Sequence, residues 1–348
     1  MRYITILLLL LLAAPFESAK ASSNGDVDVN ELVFGHIGDA YEWHIATLGQ
    51  THLSIPLPVI VKSQEGWKVF SSSRLKDGKT YQGLYIAHGG AYDGKVVEQT
   101  PAGEEIRPFD LSITKNVLGL MINSTLMVII FMACVRWYKK HPVEQGAPKG
   151  GVGMIEALVL MIYNDVIKEC IGEDYKRYAP YLLTAFFFVL INNLMGLVPI
   201  FPGGANITGN IAITLVLALF TFAFTNIFGT KEYWREILWP DVPVWLKAPV
   251  PMMPVIEFFG ILTKPFALMI RLFANIMAGH AAILSLVAII FITVKSGAVI
   301  NGSMTFMAVV FGIFMDALEV LVAFIQAYVF TMLSAVFIGL SRVKGEHE

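Results

Sequence analysis

From Ile256 to Val294 the sequence is apolar apart from a few side chains, and as a helix this run would be ~58 Å long at 1.5 Å per residue. That is nearly twice the ~30 Å hydrocarbon core of a bilayer. A second long run, Met304 to Leu340, follows after the short Lys295–Ser303 loop. Two such helices must tilt or bend, and the short connection makes them a hairpin. Arg271 lies deep in the first run. A charge at mid-membrane depth costs at least ~3 kcal/mol, so its side chain must face protein or water. Ala267, Ala274, Asn275 and Ala278 fall at i−4, i+3, i+4 and i+7 from it. One helix face thus carries a guanidinium among small side chains. Two readings follow: a buried ion-pair anchor between helices, or a fixed cation on a smooth face past which a partner slides.

The composition fits a membrane protein. Of 348 residues, 56% are hydrophobic and 15% charged, against about 25% charged in soluble domains. The net charge of −2 points to neither nucleic acid nor an acidic ligand. Cys134 and Cys170 give no disulfide framework or metal-ligand spacing, and are read as small apolar fillers. No metal and no cofactor is expected.

Taken in order, Met1 to Ser23 has the form of a secretory signal, with Arg2, an apolar core from Ile4 to Ala14, and Ala19-Lys20-Ala21 as cleavage site. Residues 24–110 read as a soluble arm delivered to the outer side. Its alternating runs 52–55 and 67–70, with turns at Asp77-Gly78 and Asp93-Gly94, point to β structure. The membrane domain, 111–348, opens with a span at about 111–132. Arg136-Trp137-Tyr138-Lys139-Lys140 then marks the cytoplasmic interface. An interfacial helix is expected from Gly153 to about Gly172. Spans at about 180–199 and 206–228 precede a second interfacial stretch, Thr230 to Pro254, and the hairpin at about 256–294 and 304–340. The expected fold is an all-α polytopic membrane protein with five transmembrane segments, interfacial helices, a cytoplasmic C-terminus and a small extramembrane arm.

Several polar residues lie inside these spans. Asn193, Asn210 and Thr214 either bond across helices or line a water-filled cavity. Asp316, Glu319, Ala323 and Gln326 share a stripe at i, i+3, i+7 and i+10 on the last helix. A carboxyl removed from water resists ionisation, and imidazole exchanges protons near neutrality. His280 with Glu319 therefore makes either a proton relay or a static hydrogen bond.

The run Lys264-Pro265 through Arg271-Leu272-Phe273-Ala274-Asn275 to Ala278-Gly279-His280 resembles the hallmark of subunit a of F-type ATP synthases. Gln326-Ala327-Tyr328-Val329-Phe330 resembles the matching motif of that subunit's last helix. The likeness covers about Phe109 to Glu348. It implies a stationary, non-catalytic subunit of the bacterial inner membrane that wraps a rotating ring of c subunits. Further implied partners are the b subunits of the peripheral stalk, the rest of the complex and the lipid bilayer.

By this resemblance Arg271 matches the essential arginine that meets each ring carboxylate and blocks a proton short-circuit. Gln326 sits near it, and Asn275 is the amide after the arginine. His280 and Glu319 stand where some members carry Glu and His in reverse. Asn193 and Asn210 match polar channel positions. Gly196 departs from the acidic residue of some members, and Asp316 is read as supplying the missing carboxylate. The signal peptide and arm exceed the family's short N-terminus. A self-contained transporter would need an internal repeat with paired broken helices, and an anchor would need none of Arg271, His280 and Glu319. Phosphoryl transfer would need a Gly-rich phosphate loop, which is missing from the sequence.

Overall fold

The computed structural model describes residues 38–48, 51–99, 105–141, 146, 148–198, 201–238 and 252–342. The expected signal peptide lies outside them, as do most of the prolines of the second interfacial stretch. The chain divides into two compact units.

The first unit holds residues 1–123, 195–206 and 284–308. Its strands are β1 (Glu42–Leu48), β2 (Thr51–Pro56), β3 (Pro58–Ser63), β4 (Gly66–Ser71), β5 (Leu84–Ile86), β6 (Val96–Gln99), β7 (Glu105–Ile106) and β8 (Phe109–Asp110). They form a β1-β2 hairpin and two three-stranded sheets, ordered β4-β3-β8 and β5-β6-β7. All paired strands are antiparallel. The alternating run 67–70 falls in β4, and the turn glycines Gly78 and Gly94 take φ of +73° and +68°, a region that favours glycine. Alternation sends Val59, Val61 and Phe70 into a core with Tyr41, Leu75, Leu84 and Val96. The Tyr41 hydroxyl donates to the Asp110 carboxylate. Burial and that bond hold its phenol above the usual tyrosine range.

Backbone hydrogen bonds tie this arm to the first long helix, α1 (Lys115–Lys140). The amides of Leu111 and Ile113 donate to the carbonyls of Ile60 and Pro58, and that of Lys115 to Ala40. Asp39 Oδ1 accepts from the Asn116 amide at 3.0 Å, satisfying one of the donors that a helix start leaves open. Lys139 and Lys140 sit in the last turn of α1, where cations complement the helix dipole. Trp43 is buried and meets Phe201 edge-on at 5.2 Å between ring centroids.

The second unit holds residues 124–194, 207–283 and 309–348. Helix α2 (Gly151–Met161) runs into a π-helical turn, Ile162–Lys168, and ends at Gly172 with φ +74°. Helix α3 (Tyr175–Leu197) follows. Helix α4 (Ile211–Ile227) starts five residues after Asn206, the expected beginning of the span, because Asn210 caps it by accepting from the Ala212 amide at 3.0 Å. Its 17 residues give ~26 Å, short of a full crossing. Helix α5 (Lys231–Leu238) follows at a 99° bend. Among the described residues, four helical stretches are long and apolar enough to cross a membrane, and the bent α4–α5 pair makes a fifth candidate.

The two longest helices are α6 (Met252–Ile292) and α7 (Ala298–Leu340), 41 and 43 residues long. Each is ~60 Å or more, so neither crosses a ~30 Å core along its normal. Gly297, at φ +98°, makes their turn possible, and Thr293 donates to Asn301 across it at 3.0 Å. Within the second unit Leu268, Leu272, Ala327, Phe330 and Ile338 pack with Tyr178, Leu182 and Phe186 of α3 in one core. Arg342 fastens the end of α7: its Nε donates to Asp174 at 2.9 Å and its Nη1 to the Phe228 carbonyl at 3.0 Å.

Candidate functional site

Helix α6 has two faces because its sequence has two. Leu268, Met269, Leu272 and Ile276 turn inward and are buried. Ala267, Arg271, Ala274, Asn275 and Ala278 are all exposed. Among the described residues no hydrogen bond or ion pair joins Arg271, so the buried-anchor reading has no partner to name. The guanidinium stands on an open stripe of small side chains, available to something outside this chain.

On the facing helix the expected polar stripe divides. Glu319, Ala323 and Gln326 are buried, at 4, 1 and 7% exposure, whereas Asp316 is exposed. Glu319 Oε1 lies 2.6 Å from His280 Nδ1. The distance is that of an ion pair, but the alignment is not that of a hydrogen bond, and both carboxylate oxygens stay buried without a donor. A buried acceptor left unsatisfied costs about 1–3 kcal/mol and more if charged. The contact thus brings the imidazole and the carboxyl together at a largely buried point between α6 and α7.

Gly279 makes the approach possible, and sequence reasoning gave it no role. A Cβ at that position would stand 2.9 Å from Glu319 Oε1 and 3.3 Å from its Cδ. The obstructed atoms end a flexible side chain, so Gly279→Ala is expected to leave folding largely intact and push the carboxylate aside. A thermal midpoint close to that of the parent chain checks the first of these expectations.

Asn193 is buried and bonds across helices. Its Nδ2 donates to the Ala323 carbonyl at 3.1 Å, and its Oδ1 accepts from Thr208 Oγ1 at 2.6 Å. It therefore holds the backbone of α7 one turn beyond Glu319. Asn210 is the α4 cap, and buried Thr214 donates to the Ile211 carbonyl of its own helix at 3.1 Å. Neither is joined to the His280–Glu319 pair.

A second polar chain went unseen in the sequence. Tyr181 Oη and Thr221 Oγ1 lie 2.8 Å apart, and Thr221 Oγ1 lies 3.0 Å from Ser334 Oγ, linking α3, α4 and α7. Its available signal was the spacing of Thr214, Thr221 and Thr225 on one face of α4, where all three are buried.

Residues 119–339 match a family described as ATP synthase A chain. The chain belongs to that family. It is 43% identical over 311 residues to ATP synthase subunit a of Chlorobium phaeobacteroides, an alignment covering 86% of each chain. It is 45% identical over 269 residues to ATP synthase subunit a of Pelodictyon phaeoclathratiforme, covering 74% of this chain and 75% of the relative. The same-named protein of Myxococcus xanthus is 40% identical over 258 residues, covering 71% and 80%. Residues 32–112 match a domain of unknown function, so the arm of this ATP synthase A chain family member has a pattern of its own.

Proposed function

We propose that this chain is the stationary proton-channel subunit of an F-type ATP synthase membrane sector, held in a bacterial inner membrane with its N-terminus on the outer side. Arg271 carries the reading: an exposed guanidinium, without a partner among the described residues, on a face otherwise built of small side chains. That face suits a rotating ring of c subunits, each presenting one carboxylate in turn. Opposite charges ~4 Å apart gain about 4 kcal/mol at an effective dielectric of 20. That is enough to strip the proton from a passing carboxyl and weak enough to release the carboxylate as the ring turns.

Two offset half-channels complete the cycle. The outer one runs through Asp316, Glu319 and His280 to the ring. The inner one runs past Arg271 to the cytoplasm, with Asn275 and Gln326 beside the arginine. Asn193, Asn210 and Thr214 are further polar residues of the access channels. Because Arg271 bars the direct route, protons must ride the ring between the channels. The chain itself is non-catalytic, since phosphoryl transfer belongs to a separate head joined through the b subunits of the peripheral stalk.

The ring-facing assignment has a direct test in the assembled complex. With Cys134 and Cys170 replaced, Ala274→Cys is expected to form an oxidative cross-link to a cysteine placed on the outward face of a c-subunit helix. Leu272→Cys, on the buried face of α6, should form none. Equal cross-linking from both positions would refute the assignment.

A further inference from the structure

We propose that the outward face of the β4-β3-β8 sheet is a lipid-contacting surface that seats the arm in the headgroup region of the bilayer beside the start of α1. The strand register places Ile60 and Val69 opposite one another, and sets Lys62 between Trp67 and Phe109. Leu111 follows in the same alternation, its amide donating to the Ile60 carbonyl. Side chains on one face of a sheet recur every second residue, so Ile60, Lys62, Trp67, Val69, Phe109 and Leu111 share a face. Val59, Val61 and Phe70 take the other face, into the arm's core.

An antiparallel sheet with one face on a core puts polar residues on the other. Here five of the six outward residues are apolar. Trp67, Val69, Phe109 and Leu111 are 55, 69, 62 and 55% exposed. Trp67 and Phe109 meet edge-on at 6.4 Å between centroids. An aromatic pair with aliphatic neighbours and one lysine is the composition of a membrane–water interface, where aromatic rings sit at headgroup depth and lysine reaches outward.

Position selects lipid as the occupant. Leu111 precedes Lys115, the first residue of the membrane-crossing helix α1, by four residues, which extend to ~14 Å at most. The interfacial layer on each side of the hydrocarbon core is itself ~5–8 Å deep. The hydrogen bonds from Leu111, Ile113 and Lys115 fix the sheet to the helix start, so it cannot drift away from the bilayer. Beyond that start, Val117 and Met121 of α1 are also exposed, at 39 and 55%.

The test uses the assembled complex in liposomes containing a phospholipid with a photoactivatable group in its acyl chain near the headgroup. After illumination and digestion, peptides carrying Trp67–Val69 and Phe109–Leu111 should hold several-fold more lipid adduct than the exposed Gly89–Tyr92 turn of the same arm. A Trp67→Ser, Val69→Ser variant changes only exposed side chains and should lose most of the adduct on both peptides. Lipid adducts on α1 with none on the sheet would overturn the proposal. So would capture of another subunit, or of residues 1–37, by a photoreactive leucine at position 111.

Discussion

Replacing Glu319 with leucine is expected to reduce ATP-driven proton pumping by tenfold or more, a barrier increase of at least ~1.4 kcal/mol. The carboxylate lies 2.6 Å from His280 Nδ1 in a buried position with no hydrogen-bond donor of its own. Leucine fills the volume and removes the unsatisfied acceptor, so the chain should fold at least as well as the parent. A stability-neutral loss of flux separates a relay from a static hydrogen bond, because a static bond would register in stability instead. The exchange His280→Glu with Glu319→His keeps one imidazole and one carboxyl at the same contact. It should recover part of the flux that either single change removes, a positive coupling that only residues acting together display. Proton uptake by inverted vesicles, normalised to assembled complex, measures all four variants.

The largest loss of stability is expected from Gly339→Ala. A Cβ there would stand 2.0 Å from the Cys170 carbonyl oxygen and 3.0 Å from its carbon, both backbone atoms of the helical segment that ends at Ile171. Overpacking a core costs about 1–3 kcal/mol when side chains can give way. Here the backbone must move, so the cost should reach or exceed the top of that range. Gly312→Ala on the same helix is the contrast, since nothing lies within 4 Å of its Cβ position. In a helix interior alanine is favoured over glycine by about 1 kcal/mol, so that variant should be neutral or stabilised. Thermal midpoints of the solubilised complex should separate the two. Identical midpoints would mean that Gly339 does not set the approach of these segments.

The features that could be read from the sequence are those with a local period. The apolar runs exposed α6 and α7 directly, and the stripe spacing put Glu319 and Gln326 on one face, where both are buried. Asp316 shares the spacing but lies near the edge of that stripe and is exposed. The alternation around Trp67 marked β4, and the Asp-Gly pairs marked turns. Features set by meetings between distant segments carried no local signal. Thr221 and Ser334 are 113 residues apart, and nothing in either neighbourhood announces the contact. Gly279 and Gly339 matter only because another helix arrives there. Helix α4 starts at Ile211, after the Asn210 cap, within the span expected at about 206–228. The arm's apolar face was hidden for a related reason: Trp67, Val69, Phe109 and Leu111 form one surface only once β3 joins β4 to β8.

Proton flux through vesicles of assembled complex reads out whether Arg271 is the barrier between two half-channels. Wild type, Arg271→Lys and Arg271→Ala would be compared for ATP-coupled pumping and for passive leak under an imposed gradient. Arg271→Ala is expected to abolish coupled pumping while passive leak persists or rises, since the gate is gone and the channels remain. Coupled pumping that survives Arg271→Ala would leave Arg271 as a surface side chain without a gating role.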